Sequence, residues 1–306
     1  MTNRLPALAL VAVPGRRSRT IDLAKSIDAA GFSGIYCPSF GDAMSLCLSI
    51  AHVTDQVQIG TAIHPIYLQH PDALAASASY INEIADGRFR LGLGVTHGPV
   101  HERLGLSVGK PLADTRNYVE AINAAAKQVG PVPPITLATL RDKMVELSVE
   151  VSDGAVWANA SRSRMAHSLG LIPQARRDAG FFVGNMIPTV IDDDRSAGAA
   201  RNRATLRGYV ALPNYRNYWK DAGYVEEMEA VERGIAAKDE AAIAKAMTDT
   251  WLADCTLFGS ANEVRDGVDA WFDAGVTTPI LVPSSTSGGQ MKAFAEVFDL
   301  YGLAID

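Results

Sequence analysis

Cysteine is scarce in this sequence, long apolar runs are absent, and positive charge is not in excess. The three cysteines, Cys37, Cys47 and Cys255, form no CxxC pair and have no metal-ligand spacing, which predicts reduced, packed thiols. No run approaches the roughly 18 apolar residues that a membrane helix needs, so we expect no membrane association. The net charge of −6 and the scattered lysines and arginines argue against a nucleic-acid partner.

Several catalytic signatures are also missing. There is no HExxH, no EF-hand loop and no Cys/His cluster, so no metal site is expected, and neither GxSxG nor a P-loop lysine motif occurs. The apolar start LPALALVAVPGRR is short, contains Pro6 and lacks a clear cleavage site. It therefore predicts a buried first strand in a soluble, cytoplasmic protein and not a signal peptide.

The most informative pattern is a helix end followed at once by an apolar strand. Glycine stands where a helix needs a left-handed C′ residue. This occurs at Gly31, Gly87, Gly154, Gly180 and Gly275. Three more apolar runs, Leu8 to Val13, Val57 to Ile63 and Ile135 to Leu140, bring the strand candidates to eight. Nearly continuous apolar strands alternating with helices predict an α/β protein with a closed (β/α)8 barrel.

At 306 residues, the chain suits one barrel with an insertion, so we predict a single domain over residues 1–306. The insertion, at about 192–253, would precede the last strand and contains the aromatic-rich segment GYVALPNYRNYWKDAGY. Two placements stay open, over the strand ends or on the outer wall. Helix starts are indicated by the possible caps Thr20 and Asp42 and by Pro71.

Three segments carry a family resemblance. They are TDQVQIGTAIHPIYLQHPDALAASASYINEIADGRFRLGLGV, GLGVTHGPVHERLGLSVGKPLADTRNYVEAI and PITLATLRDKMVELSVEVSDGAVWANAS. Together they resemble the luciferase-like flavin oxidoreductases, and within them the branch that uses the deazaflavin coenzyme F420 or FMN. The resemblance covers most of 5–161 and 259 to the end, but not the insertion. It implies a bacterial-luciferase-like barrel with the cofactor at the strand ends.

The resemblance also implies a cofactor site. The matching positions are Ala62, Ile63, Gly94, Val95, Thr96, Ala138, Arg141, Ala158, Asn159 and Ala160. The family places the ring against a non-prolyl cis peptide, here Ala62–Ile63, and the ribityl chain and phosphate near the segment around Asn159. Arg141 stands where many relatives have a glycine. Without the resemblance, TAIHPIY would be read as an ordinary trans strand end. Gly92 and Gly94 would be read as glycines that relieve crowding at a barrel corner.

His64 and His97 are the candidate catalytic residues, because the family places both strand ends beside the ring and a histidine exchanges protons near neutral pH. His101 is a weaker third candidate, and a structural role for His64 stays open. Ser39 and Phe40 stand at the end of the second strand, where many relatives have an acidic residue or a histidine. Carboxylate-driven proton transfer from that position is therefore excluded.

The sequence thus predicts an oxidoreductase that uses coenzyme F420 to move hydride to or from a small organic substrate. The alternatives are an FMN-dependent monooxygenase and a non-catalytic flavin-binding homologue. A barrel aldolase or hydrolase would need a Schiff-base lysine or a metal cluster at a strand end, and neither is evident. We also expect a homodimer, with the apolar helices around strands two to four at the interface.

Overall fold

A computed structural model describes residues 4–39 and 41–305. The strands are β1 Ala7–Ala9, β2 Gly34–Cys37, β3 Gln58–Thr61, β4 His64–Pro65, β5 Phe89–Gly94, β6 Ile135–Ala138, β7 Gly154–Ala158, β8 Phe182–Ile191, β9 Leu257–Gly259 and β10 Thr278–Pro283. The α-helices are α1 Arg17–Ala29, α2 Ala43–Ala51, α3 Pro71–Ile84, α4 Gly98–Leu104, α5 Pro111–Val129, α6 Asp142–Val151, α7 Met165–Gly170, α8 Gln174–Asp178, α9 Arg195–Val210, α10 Pro213–Asp221, α11 Val225–Ala237, α12 Glu240–Ala246, α13 Asp249–Cys255, α14 Ala261–Asp273 and α15 Gln290–Leu300. A single 3₁₀ turn, Arg162–Arg164, precedes α7.

The described chain divides into two compact units. The first unit contains the described residues up to 157, residues 171–184 and residue 305. The second unit contains residues 158–170 and 185–304. The boundary between the units crosses strands β7 and β8.

Parallel strands form the sheet of the first unit, in the order β1-β2-β3-β5-β6-β7. Cys37 pairs with Thr61 between β2 and β3, and Gly92 pairs with Thr136 between β5 and β6. The strand order follows the chain order because a helix connects each strand to the next, as the alternating pattern predicted.

An aromatic and cationic cluster fills part of the core of the first unit. The Tyr36 ring lies so close to Gly60 that a Cβ there would come within 2.7 Å of it. The ring centroids of Tyr36 and Phe182 are 5.7 Å apart, and the Arg90 guanidinium carbon lies 4.6 Å from the Phe182 centroid. Burial raises the pKa of Tyr36 to about 12, although the Arg90 charge opposes the shift. The Arg90 cation is therefore stabilised by contact with the Phe182 ring and by a hydrogen bond with Tyr36.

In the second unit β8 pairs with both β9 and β10. The predicted insertion is helical and comprises α9 to α13, with Trp219 and Trp251 edge to face at 4.9 Å in its core. It ends directly at β9, which pairs with β8 through Thr189 and Leu257. The sequence reading missed β9 because three residues immediately after a helix give too short an apolar run.

Four of the five helix-ending glycines are left-handed as predicted, with φ between 76° and 90° at Gly31, Gly87, Gly180 and Gly275. The prediction for Gly154 was wrong. Gly154 begins β7, where a Cβ would lie 2.6 Å from the Phe182 Cβ, so close packing explains the glycine. Thr20 was also wrong as a cap, because α1 begins earlier and Thr20 lies within it.

Asp42 caps α2 and Pro71 opens α3, as predicted. The three cysteines are buried and unpaired, which confirms that they are packed thiols. Among the residues that the structure describes, no helix is long and apolar enough to cross a membrane. Nor do residues 4–39 and 41–305 gather three potential metal ligands at one place.

Candidate active site

A bulge interrupts the third strand at the place where the sequence predicted the cofactor ring. Gly60 of β3 pairs with Arg90 of β5, and His64 of β4 pairs with Leu93. Three residues therefore lie between Gly60 and His64, whereas only two lie between their partners Arg90 and Leu93. This extra residue is a β-bulge, a device that redirects side chains next to active sites.

The peptide bond Ala62–Ile63 in this bulge is cis, as predicted. Hydrogen bonds fix both sides of the bulge. The Thr61 hydroxyl donates to the Gly92 carbonyl (2.8 Å) and accepts from the Gly92 amide (2.9 Å), and the Ala62 amide donates to the Cys37 carbonyl (2.8 Å). The bulge is thus bound to β5 on one side and to β2 on the other.

Gly92 and Gly94 make room for this bulge. A Cβ on Gly92 would collide with the Thr61 carbonyl oxygen. A Cβ on Gly94 would lie 2.8 Å from the Ala138 Cβ and 2.9 Å from Cγ1 of Ile63. The Thr61 backbone therefore approaches Gly92 closely, and the structure brings Ile63, Gly94 and Ala138 together.

His64 follows the bulge and is half-buried. Its Nε2 is buried and has no hydrogen-bond partner among the described residues. Burial lowers the pKa of His64, while the negative charge of Asp42 acts in the opposite direction. The ring is therefore biased toward the neutral form, which can accept or donate a proton.

Asp42 supplies a carboxylate that the sequence reading did not anticipate. It accepts a hydrogen bond from the Ser45 amide (3.0 Å) as the cap of α2. Partial burial raises the pKa of Asp42. The hydrogen bonds from Ser45 and the charge of His64 lower it, and together they outweigh burial, so the pKa of Asp42 lies below its ordinary value. Ser39 carries no carboxylate, and Phe40 lies outside the described residues. The carboxylate that acts on His64 is instead that of Asp42, at the start of α2.

The loop after β5 has an unusual backbone conformation. Thr96 has φ +58°, a region that β-branched residues rarely occupy. His101 Nε2 lies 2.6 Å from the Val95 carbonyl oxygen and 2.8 Å from the Thr96 hydroxyl. His101 thus contacts the predicted cofactor loop, and such strained residues concentrate at functional sites.

His97 and Arg141 complete the predicted set in the first unit. His97 is half-buried, and burial lowers its pKa with a smaller contribution from the charge of His101. Arg141 is exposed at the start of α6, where its side chain does not cap the helix.

Ala158, Asn159 and Ala160 belong to the second unit. Asn159 is buried with φ +57°, its amide donates to the Met186 carbonyl (3.0 Å), and its carbonyl accepts from Trp219 Nε1 (3.3 Å). The Ala160 amide donates to the side-chain oxygen of Asn185 (3.3 Å). This loop is therefore held in a rare conformation by β8 and by α10.

The insertion accordingly contacts a predicted cofactor segment. Besides the Trp219 bond, the Tyr218 hydroxyl accepts a hydrogen bond from the Ser161 amide (3.0 Å). Both residues lie in α10, in the aromatic segment that the sequence singled out. Asp42, Tyr218 and Asn185 were missed as site-supporting residues. Asp42 carried a sequence signal only as a helix cap, Tyr218 lay in the aromatic segment, and Asn185 carried no signal.

The profile of the luciferase-like monooxygenase family matches residues 7–278. A Mycobacterium tuberculosis protein provisionally named a coenzyme F420-dependent oxidoreductase is 26% identical over 327 aligned positions, covering 90% of this chain and 92% of the relative.

Solved structures share the fold. A coenzyme F420-dependent tetrahydromethanopterin reductase from Methanopyrus kandleri superposes with a TM-score of 0.75 at 15% identity, over 96% of this chain and 97% of that one. The oxygenating constituent of 3,6-diketocamphane monooxygenase from Pseudomonas putida, in complex with FMN, gives a TM-score of 0.57 at 16% identity, over 90% and 92%. The chain belongs to the luciferase-like monooxygenase family and has the predicted (β/α)8 barrel fold.

Proposed function

We propose that this protein is a coenzyme F420-dependent oxidoreductase that transfers hydride to or from a small organic substrate. The observation that carries the proposal is the β-bulge between Gly60 and His64, which contains Ile63 and lies beside a histidine whose Nε2 has no partner among the described residues. The name of the Mycobacterium tuberculosis relative supports the choice of coenzyme.

The residues of the first unit fit a deazaflavin. Ile63 is half-exposed and offers an apolar surface, as a planar heterocycle requires. Thr96 and His97, also half-exposed, offer polar groups at the end of the neighbouring strand. When bound, the coenzyme supplies the hydride chemistry, so this chain needs no nucleophile or metal of its own.

His64 is the proposed proton donor or acceptor for the substrate. Its pKa is lowered by burial, which favours the neutral ring, and the Asp42 charge prevents a larger shift. A group that titrates near the working pH is best suited to general acid–base catalysis. Ile63 would orient the ring, and the half-buried loop at Val95 and Thr96 would exclude water from it.

An FMN-dependent monooxygenase is the second candidate. It is favoured by the FMN complex among the structures that share the fold. The two candidates differ in chemistry, because a 5-deazaflavin transfers hydride but does not activate oxygen as FMN does. Oxygen consumption therefore separates them.

The test titrates the protein separately with F420 and with FMN and follows intrinsic tryptophan fluorescence. We expect micromolar binding of F420 and weaker binding of FMN. Binding of FMN alone, with oxygen consumed during turnover, would reverse the assignment. Binding without turnover on any alcohol, aldehyde or enone would instead support a non-catalytic homologue.

Substitution of His64 tests the proton role. With a substrate identified, His64→Gln should lower kcat by about 10²-fold or more at saturating coenzyme. His52→Gln is the matched control, because His52 is exposed at the end of α2. Equal rates for the two variants would remove His64 from the chemistry.

A further inference from the structure

The segment that follows β5 has little packing to hold it in place. Helix α4 contains no buried residue, and its last turn ends in left-handed Gly105 (φ +62°). Short helices are marginal in water and normally depend on an apolar face for stability. The position of α4 must therefore depend on a few specific contacts.

His101 makes the contact between α4 and the strand end. Its Nε2 lies 2.6 Å from the Val95 carbonyl oxygen and 2.8 Å from the Thr96 hydroxyl. Because a carbonyl oxygen only accepts, Nε2 carries the hydrogen and the Thr96 hydroxyl shares it. The bond joins α4 to the residue whose φ is +58°.

Tyr67 connects His101 to helix α5. The edge of one ring meets the face of the other, with centroids 5.3 Å apart and an interplanar angle of 83°. The Tyr67 hydroxyl donates to Asp114 Oδ2 (2.6 Å), which also accepts from the Gly109 amide (2.8 Å). Asp114 lies in the first turn of α5, so both ends of the α4 segment are tied to firmly packed elements.

We propose that His101 is a positioning residue, which holds the backbone of Val95 and Thr96 and the α4 segment in the coenzyme-binding arrangement. Tyr67 and Asp114 hold His101 in turn. The inference rests on the proposed function, because it assigns Thr96 and His97 to the coenzyme site. In this role His101 acts through Val95 and Thr96 and not on the reacting atoms.

Hydrogen exchange of the coenzyme-free protein tests the contact without any ligand. The amides of Val100, His101 and Leu106 donate within this segment and report its opening. Removing one hydrogen bond should increase the opening of the segment by about threefold to tenfold. We expect His101→Ala to accelerate exchange over 97–106 by that factor and to leave β5 unchanged.

Two further variants separate positioning from simple loss of volume. His101→Gln keeps an N–H donor near Nε2 and should restore slow exchange, whereas Tyr67→Phe keeps the ring contact but loses the Asp114 bond and should give intermediate exchange. His52→Ala is the control at an exposed histidine. Unchanged exchange in His101→Ala, or no recovery in His101→Gln, would overturn the proposal.

Coenzyme binding gives the second measurement. F420 should bind His101→Ala about tenfold more weakly than the wild type, with recovery in His101→Gln, and should slow exchange over 97–106 in the wild type. Equal affinity of His101→Ala and wild type would contradict the positioning role. If the wild type binds neither F420 nor FMN, the proposed function fails, while the exchange of the coenzyme-free variants still decides whether His101 holds the segment.

Discussion

His64 and Asp42 illustrate how two opposed electrostatic effects set the state of one side chain. Burial removes the ring from water and disfavours its charged form, so the pKa of His64 falls. The Asp42 carboxylate favours the charged form and limits the fall. Burial is the larger effect, so the net shift of the His64 pKa is downward.

Asp42→Asn should lower the pKa of His64 further, because it removes the opposing charge. Asparagine caps helices as well as aspartate does, so α2 should keep its start at Ala43. The shift can be followed by NMR titration of the His64 ring protons. Ser45→Ala serves as a control, since it loses one bond of the cap and keeps the charge; a rise of the His64 pKa in Asp42→Asn would refute the coupling.

Gly94→Ala tests the packing of the bulge. The new methyl group would meet Ala138 and Ile63 at less than 3 Å, so Ile63 must move. Overpacking of this kind costs about 1–3 kcal/mol, and displacement of Ile63 should also weaken coenzyme binding. The comparison is Gly98→Ala, where a Cβ meets nothing within 4 Å. Chemical denaturation measures both, and equal stability of the two variants would contradict the contact.

Helix α10 links the insertion to the segment at Asn159. Tyr218 and Trp219 are fully buried, and each bonds to the backbone of this segment. Of the two placements considered from the sequence, α10 therefore has the one at a strand end, since it lies against the end of β7. The rest of the insertion builds its own core around Trp219 and Trp251.

Tyr218→Phe should destabilise the protein by about 1–3 kcal/mol, because the buried Ser161 amide loses its acceptor. It should also alter the Asn159 segment and so weaken coenzyme binding. Tyr80→Phe is the control, since Tyr80 is 55% exposed. Thermal unfolding compares the two, and an unaffected Tyr218→Phe would show that the bond contributes nothing.

Elements with strong local patterns were predictable, and those fixed by contacts were not. The helix-ending glycines and the cap Asp42 are determined by neighbouring residues, so they could be read from sequence. Gly154 failed because its cause is Phe182, distant in the chain. The cis peptide bond followed only from the family resemblance, and the roles of His101 and Asp114 required coordinates.

The self-association of the molecule is open to a direct test. In the first unit, Leu68, Tyr80 and Leu104 are large apolar side chains with exposures of 49%, 55% and 43%. Singly exposed apolar side chains are common on protein surfaces, and these three lie in or beside the helices through which the sequence predicted a homodimer. The dimer stays a prediction.

Light scattering coupled to gel filtration should give twice the mass of the chain. Tyr80→Lys combined with Leu68→Lys should yield a monomer, because charge would be buried without a partner. Val225→Lys is the control, since Val225 is similarly exposed (43%) but lies in the second unit. A monomeric wild type, or dissociation by Val225→Lys alone, would rule out the predicted interface.

The fold by itself does not select a coenzyme, since structures sharing it include an F420-dependent reductase and an FMN-bound monooxygenase. The choice depends on the residues around the bulge. A crystal of the protein soaked with F420 decides the matter. We expect the deazaflavin ring to contact Ile63 and to lie beside His64 and Thr96; a ring bound elsewhere on the chain, with the bulge unoccupied, would contradict the proposed function.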